Sequence, residues 1–95
     1  TEAQQLMENE RLCFSVLSDY ARGLRDWKVR YAPQLPDQPV HARFVEACHK
    51  LDEAEYYLDI LAFGDSYERA EVVNYLLVDG RLDKLKEKIN GRDAA

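Results

Sequence analysis

Between Cys13 and Tyr31 the apolar residues Cys13, Leu17, Tyr20, Leu24, Trp27 and Tyr31 recur at gaps of 4, 3, 4, 3 and 4. Between Val40 and Leu61 the same alternation runs through Val40, Phe44, Ala47, Leu51, Ala54, Leu58 and Leu61. Such spacing lays each set along one face of a helix and is incompatible with the period of two that a strand requires. Leu6 extends the first stripe, and Leu12, Phe14 and Val16 widen it. Two long amphipathic helices, over about residues 3–31 and 40–63, therefore dominate what this chain can become.

All three prolines, Pro33, Pro36 and Pro39, fall within residues 32–39. Proline removes a backbone donor and restricts the residue before it, so this segment reads as a loop joining the two helices. A short connection favours an antiparallel hairpin. Laid side by side without axial stagger, the stripes pair Trp27 with Phe44, Leu24 with Ala47, Tyr20 with Leu51, Leu17 with Ala54 and Cys13 with Leu58. In this alignment Glu10 faces Leu61 and is the one mismatch.

A hairpin of two helices cannot seal its own core, so the remaining chain must cover it. Asp65-x-x-Glu68 reads as a capping box that opens a third helical segment over about residues 66–90. Its residues 72–78 are apolar on every side except Asn74. Tyr75, Val78, Leu82, Leu85 and Ile89 keep helical spacing straight through Gly80, whereas Asp79-Gly80 is a strong turn signal and favours a break. Gly91 is a further candidate stop. The expected fold is all-α: a single domain over residues 1–95, a small antiparallel helical bundle with two long helices and a third segment broken at Gly80.

Net charge and residue types narrow the function. With 13 basic and 18 acidic residues the chain carries −5, which opposes non-specific nucleic-acid binding by the whole surface. No apolar run approaches the length needed to cross a bilayer, so no membrane association is expected and a cytoplasmic setting is the default. Cys13 and Cys48 are too few for a disulfide scaffold, lack metal-ligand spacing and sit on or beside the stripes as small hydrophobes.

Catalytic and metal-binding patterns do not hold up geometrically. Glu46-Ala-Cys-His49, with Glu53 one turn on, resembles half of a bundle metal site, but these residues fall opposite the apolar stripe. His41 stands alone near a helix start, hydroxyls are few, and the four glycines are scattered with no phosphate loop. No enzyme activity, metal or cofactor is expected.

Three features bear on partners. Arg22, Arg25, Lys28 and Arg30, interleaved with Trp27 and Tyr31, form one basic cluster at the end of the first helix, where arginine and aromatic side chains suit nucleic acid. Basic residues also belong there as complements to the helix dipole. Residues 46–71 hold eight acids against Lys50 and Arg69, a polarity that suits docking onto an oppositely charged protein. Finally, Ala70, Val73 and Leu77 suffice to cover the hairpin, which leaves Val72, Tyr75 and Leu76 as an outward apolar face for a protein partner or a second copy. A helical interaction or oligomerisation module is the favoured function, with a nucleic-acid-contacting accessory protein as the alternative.

Overall fold

A computed structural model describes residues 1–34 and 38–94. Helix α1 (Glu2–Tyr31) is followed by a 3-10 turn at Ala32–Gln34, then α2 (Gln38–Phe63), α3 (Ser66–Leu77), a second 3-10 turn at Val78–Gly80, and α4 (Arg81–Ala94). The all-α bundle expected from periodicity is the observed fold, and among the described residues there is no strand.

Each boundary has a local cause. Thr1 caps α1, its hydroxyl accepting from the Gln4 backbone while the Gln4 side chain reaches back to the Thr1 backbone. Asp65 does the same for α3: its carboxylate accepts from the Glu68 N–H at 2.8 Å, and Glu68 accepts from the Asp65 N–H at 3.1 Å. The expected loop over residues 32–39 proves shorter. Pro33 lies in the 3-10 turn, residues 35–37 fall outside the described part, and Pro39 lies in the first turn of α2. A first-turn proline loses only an N–H that would have no partner in its own helix, so it does not postpone the helix.

Asp79 (φ 57°) and Gly80 (φ 68°) both adopt the left-handed conformation and separate α3 from α4, as the Asp-Gly signal implied. The Arg81 side chain then donates to the carbonyls of Tyr75 (3.2 Å) and Val78 (3.3 Å), satisfying acceptors at the open end of α3. Gly91, in contrast, stops nothing, because α4 continues through it to Ala94.

The core is small and contiguous. Cys13, Val16, Leu17, Tyr20 and Ala21 of α1 meet Leu51 and Ala54 of α2, Val72, Val73 and Leu76 of α3, and Leu82 of α4. Leu24, Leu58, Leu85 and Ile89 pack around its edge. Among the described residues no polar or charged side chain is buried, and no helix is long and apolar enough to cross a membrane. The molecule measures 52 × 27 × 20 Å with a radius of gyration of 15.0 Å. A compact domain of this length would have a radius of gyration of about 12 Å, so this is a rod with much of its length set by α1.

Candidate functional site

The face of α3 expected to meet a partner is turned the other way. Val72 and Leu76 are 6% and 2% exposed and belong to the intrachain core, while Leu77 (42%) and Ala70, expected inward, are exposed. Tyr75 alone of the proposed trio stays outside, at 41%, and Asn74 is exposed as well. The run from residue 72 to 78 is apolar all round, so its composition carries no phase. The corner at Gly64 sets the phase instead, and it turns Val72, Val73 and Leu76 inward together.

That corner is closely built. An added Cβ on Gly64 would lie 2.5 Å from the Ile60 carbonyl oxygen, so only glycine allows this approach between the end of α2 and the start of α3. The Gly64 carbonyl accepts from Arg69 Nη1 at 2.6 Å, and Arg69 Nε donates to Glu10 Oε1 at 3.2 Å. Glu10, the mismatch in the aligned hairpin, is thus the α1 anchor of the corner. Its partner comes from α3, which no pairing of the first two helices can supply.

With the corner tied to Glu10 through Arg69, the start of α1 runs on past that contact as an overhang. Residues 2–8 span roughly 10 Å of helix at 1.5 Å per residue, and all of residues 1–8 are exposed. Leu6 (51%) and Met7 (52%) lie on this overhang. Phe63 (87%) and Tyr67 (71%) flank Gly64 at the same end of the rod. Periodicity missed this group because Leu6 continues the core stripe; only the lengths of the two helices and the position of the corner expose it. Acids predominate in the same segments: Glu2, Glu8, Asp59, Asp65, Glu68 and Glu71 are all exposed, against Arg11 as an exposed cation next to Glu10. A hydrogen bond to the Glu71 carboxylate raises the pKa of the Tyr67 phenol.

The basic cluster at the other end is partly neutralised. Arg22 pairs with Asp19 on its own helix, and Arg25 reaches Glu55 across the hairpin at 3.2 Å. The aligned register puts Glu46 opposite Arg25. Long side chains lean toward the N-terminus of their own helix, so in an antiparallel pair they lean in opposite directions and meet partners further along. Lys28 sits 5.6 Å above the Phe44 ring, and Arg30 is exposed. Trp27 stacks on Tyr31 at 4.8 Å, contacts Phe44 at 6.4 Å, and carries the Arg43 guanidinium 5.5 Å over its ring. The Trp27–Phe44 contact matches the aligned pair.

Glu46 bonds Lys50 at 2.8 Å, which lowers its pKa, and Glu53 accepts from the Tyr57 hydroxyl at 3.2 Å. His49 is exposed beside them, and among the described residues no group of three or more His, Cys, Asp or Glu could hold a metal ion. Cys13 and Cys48 are free thiols; burial, followed by the Glu10 charge, pushes the Cys13 pKa up. No protein-family model, curated protein or solved structure matches this chain.

Proposed function

We propose that this chain is a non-catalytic helical module that docks onto a basic, apolar surface of another protein through the end formed by the α1 overhang and the α2–α3 corner. The observation that carries the reading is the exposure of Phe63 and Tyr67, at 87% and 71%, on either side of Gly64, with Leu6 and Met7 also exposed on the stretch of α1 that precedes Glu10. Large apolar side chains grouped at one end of a small domain are a common mark of a binding surface, and aromatic anchors dominate the energetics of such surfaces. The acidic rim selects the partner. A second copy would bring acid against acid, whereas a cationic partner gains on encounter and in register. Arg69, the cation nearest the corner, is already held by Glu10 and the Gly64 carbonyl. The two free thiols fit a reducing, cytoplasmic setting.

Nucleic-acid contact has less support, because two of its four cations pair with acids and Trp27 is engaged by Tyr31 and Arg43. The test is calorimetric titration with an amphipathic Leu/Lys helical peptide. Binding is expected for the wild type, with affinity at least tenfold lower for Phe63→Ser combined with Tyr67→Ser, two exposed changes that leave the fold intact by circular dichroism. Unchanged affinity in the variant would overturn the reading. So would a wild type that sediments as a dimer through these same residues.

A further inference from the structure

A cavity of about 300 Å³ opens where α1 and α2 meet α3 and α4. Leu17, Ala54 and Leu76, all buried core residues, form its apolar floor. Tyr57 and Tyr75 form a wall, with ring centroids 5.6 Å apart. Its mouth is cationic: Lys50, Arg81, Lys84 and Lys88 line it, against Glu53 as the one acid. In a chain of net charge −5 this concentration of positive charge runs against the average.

The four cations are not equally free. Lys50 is paired with Glu46 at 2.8 Å. Arg81 lies 4.3 Å over the Tyr75 ring, donates to two carbonyls, and is 3.8 Å from Asp79. Among the described residues neither Lys84 nor Lys88 forms a direct ion pair, although the Lys88 charge is felt at Glu46, and they stand one helical turn apart on α4. Glu53 is engaged by the Tyr57 hydroxyl at 3.2 Å. Burial, the Tyr75 hydroxyl and the Glu53 charge all push the Tyr57 pKa up, so this ring adds no negative charge to the cavity at neutral pH.

We infer that the cavity binds a small amphiphilic carboxylate, its aliphatic or aromatic body against Leu17, Ala54, Leu76 and the two tyrosine rings and its head group between Lys84 and Lys88. The size lies at the lower end of the range for small-molecule pockets, and an apolar interior with a few convergent polar groups is their usual construction. Two unpaired ammonium groups at the mouth of an apolar recess select for charge at one end of the ligand only. A neutral molecule of the same shape forgoes the attraction of the two exposed ammonium groups, and a dianion of the same size brings charge onto the apolar floor at a desolvation cost.

Two matched pairs of probes test this by calorimetry: 2-naphthoate against 2-naphthalenemethanol, and decanoate against decanol. Each acid is expected to bind at least tenfold more tightly than its alcohol, and the better acid identifies the body as aromatic or aliphatic. Lys84→Gln with Lys88→Gln should remove that preference while leaving the alcohol's affinity unchanged, and Glu53→Gln should tighten acid binding. Ring resonances of Tyr57 and Tyr75 should shift on saturation. Equal affinity for acid and alcohol, acid preference retained in the double lysine variant, or no binding of either acid at its solubility limit would each overturn the inference.

Discussion

Gly64→Ala is the sharpest probe of the corner that positions α3. The new Cβ would lie 2.5 Å from the Ile60 carbonyl oxygen, 3.2 Å from Ile60 Cγ2 and 3.3 Å from Glu68 Cβ. Carbon–oxygen contacts are ordinarily no closer than about 3.3 Å, so the oxygen must retreat by roughly 0.8 Å. That oxygen accepts the Gly64 N–H at 2.7 Å, and the Gly64 carbonyl accepts from Arg69, so retreat also disturbs the bonds that hold the corner. Forced overpacking costs about 1–3 kcal/mol, and a weakened hydrogen bond adds roughly 1 kcal/mol. Reduced freedom of the unfolded chain offsets about 0.4–1 kcal/mol. The expected net loss is about 2 kcal/mol, which for 95 residues lowers Tm by roughly 10 °C. Thermal and urea unfolding followed by circular dichroism measure it. Gly91→Ala, whose Cβ would meet nothing within 4 Å inside α4, is the control and should raise stability by about 0.5–1 kcal/mol. A Gly64→Ala protein within about 2 °C of the wild type would refute the steric argument.

Other consequences follow from the same packing. Leu76→Ala should cost roughly 2–5 kcal/mol while Leu77→Ala costs under about 1 kcal/mol, by urea unfolding; the reverse order would restore the outward face of α3 expected from sequence. Arg69→Met should lose about 1–3 kcal/mol, because Glu10 and the Gly64 carbonyl lose their shared donor, and amide exchange should accelerate first in residues 64–68. Cys13 has a raised pKa when folded, so the unfolded chain gives up that proton at lower pH than the native protein does. Its contribution is therefore complete below the ordinary thiol value near 9.0 and is lost as pH climbs toward the folded value. Urea midpoints should fall above that pH, and Cys13→Ala should remove the first part of the fall. At neutral pH a thiol reagent should label half-buried Cys48 and leave fully buried Cys13 unlabelled until the protein unfolds.

What could be read from sequence was whatever depends on local chemistry. The alternating gaps of 4 and 3 placed Leu17, Leu51 and Ala54 in the core, Asp65 and Glu68 marked the start of α3, and Asp79-Gly80 marked its end. Phase was lost wherever composition is uniform. Residues 72–78 present apolar groups in all directions, so the face that turns inward depends on the Gly64 approach and on Arg69. The stripe drawn from Tyr75 through Val78 to Leu82 failed for a related reason: left-handed Asp79 and Gly80 rephase α4, burying Leu82 while Tyr75 and Val78 stay exposed. The apolar end was hidden because Leu6 fits the α1 stripe perfectly well; nothing local says that Arg69 ties the corner to Glu10. The lysines of the cavity mouth were equally illegible, since their place depends on α4 folding back after that break.

The docking end is tested most directly by amide and methyl chemical-shift mapping of the intact protein titrated with the basic amphipathic peptide. Perturbations are expected at Leu6, Met7, Phe63 and Tyr67 and their neighbours, with the amides of residues 22–30 unchanged. Shifts confined to residues 22–30, or spread evenly over the rod with the four apolar residues unmoved, would contradict that assignment.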